Sequence, residues 1–266
     1  MIIQPFSFLQ QATTLAAPPA VTPTIRFDAN SASISLALPF NYFAGSFGMG
    51  SIISDVSANV RGTGTNLPVN WTGSGAYWAT SSFVNSTGSG YFESISTTGQ
   101  RYPAWPGNAT EFSFGSGDVT IEGYVNLSAS NFFFNLWNHP VSISISWQST
   151  SNFWRVVLET PPAGGPQQVA DSGTQTLTAG QWYHVAFTRR GSGTNNCALW
   201  FNGNRIINFT NTYTLGALVA YPAQINQQNI GAANARLQDF RVYKGASTYN
   251  PASATITPSG SIVNNT

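Results

Sequence analysis

Apolar and polar residues alternate along much of this chain with a period of two, the mark of a strand that buries one face. The plainest case is Val141, Ile143, Ile145 and Trp147, each separated from the next by a serine. In the stretch 182–189, Trp182, His184, Ala186 and Thr188 take one side, and Tyr183, Val185, Phe187 and Arg189 take the other. A second run, 197–201, leads into Asn202-Gly203, a pair that tolerates the positive φ of a type I′ hairpin turn. Ile206 and Ile207 begin the return strand. Three strands joined this way form a meander, which must bury one face against a second sheet.

The same reading extends to the rest of the chain. Ile34, Leu36 and Leu38 alternate with small residues, and short strands are expected around 69–71, 76–78 and 91–96. A turn at Gly115–Gly117 precedes Val119, Ile121, Gly123 and Val125, which oppose Thr120, Glu122 and Tyr124. The continuous apolar run 132–137 fits a strand buried on both faces. Further strands are expected at 153–159, 225–230 and 236–243. Residues 101–108 and 161–166 read as proline-punctuated loops, and 251–266 as a polar tail with little to pack beyond Ile256 and Ile262. Roughly a dozen short strands with no helical periodicity predict an all-β sandwich or barrel.

Composition narrows the picture. Only 7% of the 266 residues are charged, with a net charge of +1, whereas 42% are hydrophobic and 14% aromatic. A core is affordable, and the surface has to draw its polarity from Ser, Thr, Asn and Gln. The charge gives no basis for a nucleic-acid or anionic-membrane partner. No apolar run reaches the roughly 18 residues of a membrane span. The opening residues have no basic segment and are interrupted by Pro5, so they are not expected to be a secretory leader. The lone Cys197 excludes an intrachain disulfide and reads as a small buried hydrophobe. Residues 1–30 are expected to form an extended arm, because Pro5, Pro18, Pro19 and Pro23 exclude helix and central strand. Ile2, Ile3, Phe6, Phe8 and Leu9 make that arm apolar enough to dock on a partner subunit or on its own domain.

The chemistry is sparse. Nine acids are scattered, and along a strand Asp118 and Glu122 would stand about 13 Å apart, beyond the spacing of a glycosidase pair. His139 and His184 have no nucleophile elbow and, with Cys197, no zinc spacing. No catalytic set is expected. What remains is aromatic surface. Tyr102, Trp105, Trp137, Trp147 and Trp154, with His139 near them, are the candidate ligand-binding residues, since rings among Asn and Gln suit sugar stacking or a protein interface.

Three runs, FGSGDVTIEGYV, GQWYHVAFTRRG…ALWFNGN and LQDFRVYKGASTYN, occur in that order. Together they resemble the concanavalin A-like, laminin-G-like jelly-roll domains of bacterial and phage surface proteins. The resemblance implies a two-sheet antiparallel sandwich over 31–257, flanked by the arm 1–30 and a tail 258–266. It also implies that His184 is structural, and that calcium, if held at all, would take loop aspartates such as Asp118 and Asp171; no cofactor is otherwise expected. Such domains serve many roles. The role expected here is a non-enzymatic virion component, a head decoration or a fibre or tail part assembled in the host cytoplasm. It would contact other virion proteins or copies of itself. A carbohydrate-binding adhesin module for host glycans is the alternative, and a glycoside hydrolase the third.

Overall fold

The computed structural model describes residues 30–38, 45–47, 52–54, 68–72, 76–79, 91–94, 102–104, 112, 114–127, 132–138, 141–160, 165–215, 224–225 and 235–258. Among them helix is limited to 3-10 conformation, in a turn at Ser31–Ser33 and at Phe112. The first half holds β1 (Ile34–Leu38), β2 (Gly45–Phe47), β3 (Ile52–Ser54), β4 (Pro68–Thr72), β5 (Ala76–Ala79), β6 (Tyr91–Ser94) and β7 (Tyr102–Ala104). Next come β8 (Val119–Leu127), β9 (Phe132–Asn138), β10 (Val141–Gln148), β11 (Phe153–Glu159) and β12 (Gln167–Asp171). The meander is β13 (Trp182–Arg189), β14 (Cys197–Phe201) and β15 (Asn204–Phe209), followed by β16 (Gln224–Ile225) and β17 (Ala235–Lys244).

Among the described residues all pairings are antiparallel. One sheet has nine strands in the order β15-β14-β13-β8-β17-β6-β5-β2, with β1 also on β17. The other has eight, ordered β12-β11-β10-β9-β16-β7-β4-β3. The result is a jelly-roll sandwich of concanavalin A type, and its core is built by period-two alternation in both sheets. Val119, Ile121 and Val125 of β8, Val185 and Phe187 of β13 and Leu199 of β14 meet Ile143, Ile145 and Trp147 of β10 and Trp154, Val156 and Leu158 of β11. Each apolar side chain of this size contributes about 1.5–3 kcal/mol by leaving water.

Two expectations need correcting. Residues 102–104 form a strand, not a loop: β7 sits between β4 and β16, where Tyr102 pairs with Thr72 and Ala104 with Asn70 and Gln224. The described segment 251–258, expected as a polar tail packing little beyond Ile256, is fastened to the sandwich. It crosses the outer face of the nine-stranded sheet, with Ile256 packed against Ala186, Ala198, Trp200 and Tyr249. Ile256 N–H donates to the Gly203 carbonyl and Arg205 N–H to that of Ala254, each at 2.8 Å. Trp200 Nε1 donates to the Ser253 carbonyl at 3.2 Å.

β17 carries a further departure from simple alternation. Gln238 pairs with Tyr124 and Arg241 with Glu122, so one extra residue lies between those rungs. Asp239 takes it up at a φ of 51°. This bulge keeps Phe240 and Val242 in the core while Arg241 and Tyr243 face outward.

Candidate functional site

Two constellations of polar side chains stand out, one sealed and one open. The sealed one lies on the outer face of the nine-stranded sheet. Ladder register sets Trp200, Ala186, Glu122 and Arg241 in one row across β14, β13, β8 and β17. Ala186 is small enough to leave room above it, and Tyr249 fills that room from the C-terminal segment. Tyr249 O–H donates to Glu122 Oε2 at 2.6 Å, and Tyr243 O–H to Oε1 at 3.2 Å. His184 Nε2 lies 3.1 Å from Oε2 and Arg241 Nη1 3.6 Å from Oε1. Burial by itself pushes the Glu122 carboxyl up. The His184 hydrogen bond, the charge of Arg241 and the Tyr249 hydroxyl more than offset that, holding it at about 2. Beside this group Thr120 and Thr188 share a hydroxyl bond at 2.9 Å, and Thr248 N–H donates to Thr120 Oγ1.

Chemically this cluster is a clasp. Glu122 and His184 are each only 2% exposed, so substrate has no route to them. His184 is structural, as the family resemblance implied, and Glu122 is the buried anchor of the C-terminal segment.

Arg189 plays a related part at one end of the same sheet. Its guanidinium, 1% exposed, donates to the carbonyls of Gly115, Gly117 and Tyr213, tying two loops to β13. Cys197 pairs with Arg189 in the ladder and is fully buried. Burial pushes its thiol up to about 12 despite the nearby guanidinium, so it is no nucleophile.

The open constellation lies on the outward side of β10, β11 and β12, at one edge of the eight-stranded sheet. The residues of β11 that alternate with the core set are Phe153, Arg155 and Val157. Ladder pairs place Arg155 opposite Ser146 on one side and Asp171 on the other, and Val157 opposite Ser144 and Val169. Arg155 grips Asp171 through two hydrogen bonds, Nε to Oδ1 at 2.7 Å and Nη2 to Oδ2 at 2.8 Å. That partner holds the guanidinium above its ordinary value. Its Cζ lies 5.2 Å from the centre of the Phe153 ring. Gln148 Nε2 donates to Ser146 Oγ at 2.9 Å. Val169, half exposed, is the one large exposed hydrophobic among the described residues.

The sequence-derived candidates fare unevenly. Trp147 and Trp154 are core residues and not ring platforms, at 2% and 0% exposure. Their rings pack 5.6 Å apart, and Trp154 also meets Phe201. They share a strand face with isoleucines in β10 and with Val156 and Leu158 in β11, so period two carries them inward. Tyr102 and Trp137 lie in β7 and β9, with Thr72 and Ser142 as ladder partners. Trp105, His139 and the arm residues Ile2, Ile3, Phe6, Phe8 and Leu9 lie outside the described residues.

The calcium candidates have other occupations. Asp118 Oδ1 accepts from Gly191 N–H at 2.7 Å, and Asp171 is paired with Arg155. No group of three or more His, Cys, Asp or Glu that could hold a metal occurs among the described residues. Sequence reasoning missed Arg155, its pairing with Asp171, Phe153 and the tyrosines around Glu122. The outward parity of Phe153 and Arg155 against Trp154 and Val156 was the signal available for the open site.

The sequence profile described as the concanavalin A-like lectin/glucanases superfamily matches residues 107–250. No curated protein sequence matches the chain. Among solved structures, the receptor binding domain of botulinum neurotoxin D aligns with a TM-score of 0.51 at 13% identity, over 82% of this chain and 51% of that one. The binding domain of botulinum neurotoxin DC, solved in complex with SialylT, aligns at 0.53 and 14% over 82% and 49%. A structure of botulinum neurotoxin type C, described as depending on two ganglioside molecules to enter cells, aligns at 0.57 and 14% over 83% and 50%. The chain thus spans about half the length of these structures, and at such identities the likeness is one of fold.

Proposed function

The chain belongs to the concanavalin A-like lectin/glucanases superfamily, and from that premise we propose that it is a non-enzymatic recognition module that binds glycans of a host surface. The observation that carries this reading is the contrast between the two constellations. The carboxylate of Glu122 is sealed under Tyr249, while the outward face of β10–β12 offers hydrogen-bonding groups beside apolar ones. A sugar needs both kinds of contact, one for its hydroxyls and one for its C–H faces. A hydrolase would need two carboxyl groups facing each other across an open cleft. The other acids with described side chains are occupied or buried: Asp118 caps a loop, Asp171 is ion-paired, and Glu159 and Asp239 are buried. The folds of the toxin binding domains, solved with or described in terms of glycans, agree with a binding role.

The test is a glycan array probed with the whole chain, alongside assays for reducing-sugar release from a polysaccharide panel. Binding without turnover is expected. Turnover that disappears in Glu122→Gln at an unchanged melting temperature would overturn the reading.

A second reading concerns where the module is displayed. The apolar residues Ile2, Ile3, Phe6, Phe8 and Leu9, the single lysine and the uncharged Ser/Thr/Asn-rich composition favour a virion component, a head decoration or a fibre or tail part, held by its arm to other virion proteins or to copies of itself. Calcium is not required by this reading. Deleting residues 2–24 tests it: the truncated chain should melt near the parent temperature yet fail to assemble. Truncation that unfolds the sandwich would instead assign the arm to its own core.

A further inference from the structure

We propose that the ion pair Arg155–Asp171 is a recognition element for a neutral sugar, and that Asp171 sets the preference for neutral over acidic glycans. The proposal rests on the glycan-binding reading above and adds its site and ligand class.

The argument starts from hydrogen-bonding capacity. Arg155 has five N–H donors and spends two on Asp171. The Nη1 edge keeps its donors, and the carboxylate keeps further lone pairs. The pair is about two-fifths exposed, with side-chain values of 37% and 40%. A donor edge and an acceptor edge therefore stand side by side at the surface. Two neighbouring sugar hydroxyls match that arrangement, one donating to Asp171 while the other accepts from Arg155, because each hydroxyl can do either.

Apolar support is adjacent. Val157 and Val169 are ladder partners one step along the same strands, and Phe153 stacks against the guanidinium on the other side. Three strands at about 4.8 Å spacing give a patch about 10 Å across, matched to one or two sugar rings. Burying the half-exposed Val169 under a C–H face gains apolar contact without a pocket.

Charge decides the ligand class. The pair is neutral as a unit. A sialic acid carboxylate could reach Arg155 only by facing or displacing Asp171, leaving one carboxylate without its cation. Neutral hydroxyls meet no such opposition. Removing the carboxylate reverses the balance, since it leaves Arg155 as an uncompensated cation beside an aromatic ring.

The experiment measures binding of lactose, maltose and sialyllactose to the whole chain by saturation-transfer NMR and titration calorimetry. Three variants are compared, Asp171→Asn, Arg155→Ala and Val169→Glu, each checked for an unchanged melting curve. Expected are binding of a neutral disaccharide over sialyllactose, a loss of about tenfold for it in Arg155→Ala, and a gain for sialyllactose in Asp171→Asn. Val169→Glu, a surface change with no bond to lose, should weaken the neutral sugar too. Neutral-sugar binding that survives all three variants overturns this site while leaving the module a glycan binder. Wild-type preference for sialyllactose overturns the ligand class. Absence of binding to any glycan of a broad array overturns the glycan-binding reading itself, and this proposal with it.

Discussion

The hydroxyl of Tyr249 donates to Glu122 Oε2 at 2.6 Å, joining residues 127 positions apart in sequence. That contact pins the C-terminal segment across the outer face of the nine-stranded sheet. It also completes the cover over a carboxylate that already faces His184, Tyr243 and Arg241.

Breaking the cluster from its centre should be costly. Glu122→Ala takes a carboxylate partner from the buried Arg241, a loss of about 3–5 kcal/mol. Tyr249→Phe removes one charge-assisted bond and should cost about 1.5–3 kcal/mol. Urea denaturation of both variants is the check. A Glu122→Ala variant as stable as the parent would mean that the cluster anchors nothing.

The cluster also predicts an acid limb. Glu122 is held at about 2 in the folded chain, below its ordinary 4.5. Between those values the unfolded chain binds the extra proton, so the contribution is fully present above about pH 4.5 and is lost as pH falls towards 2. Its size is on the order of 3 kcal/mol. Midpoints of urea unfolding at pH 7, 4.5 and 3 should fall more steeply for the parent than for Glu122→Gln. Parallel acid limbs would contradict the assignment.

Neighbouring residues of β14 should respond in opposite ways to size. Leu199 lies in the core between the sheets, and Ala198 lies under the C-terminal segment with Trp200 and Tyr249. Leu199→Ala should cost about 2–5 kcal/mol through lost transfer and the cavity left behind. Ala198→Leu should cost about 1–3 kcal/mol by overpacking a site that is already fully buried under Trp200 and Tyr249. Calorimetry on both gives the comparison, and a stabilising Ala198→Leu would show that the outer face is loosely covered.

Glycines of the meander are likewise distinguishable. Gly203 has a φ of +80°, and a Cβ there would meet the Ile256 carbonyl oxygen at 2.8 Å. Gly191, at +60°, has nothing within 4 Å. Gly191→Ala should therefore cost about 1 kcal/mol from backbone strain alone. Gly203→Ala should cost clearly more, because the C-terminal segment has to shift. Equal melting temperatures would remove the close approach from the account.

Much of the fold was legible because alternation is a local property. The strands Phe153–Glu159, Trp182–Arg189 and Cys197–Phe201 appear at the limits that period two and the Asn-Gly turn predict. The same rule already held the answer for two of the proposed ring platforms. Trp147 alternates with serines in step with Ile143 and Ile145, so its ring belongs inside. Reading it as a surface platform gave weight to residue type over parity.

By itself the sequence determined which faces of the strands are apolar, that the protein is an all-β sandwich, and that its acids are too dispersed for an obvious catalytic pair. Tertiary structure decided what lies over the faces the pattern leaves polar. Nothing local says that residues 245–258 cross the sheet to cover Glu122, or that a bulge at Asp239 turns Arg241 towards it. Nor does local pattern say that strand pairing sets Asp171 of β12 against Arg155 of β11, 16 residues apart. The physical reason is that alternation depends on each residue's immediate neighbours. The partner of a buried or paired charge depends instead on strand order and register, which only the packed sheets supply.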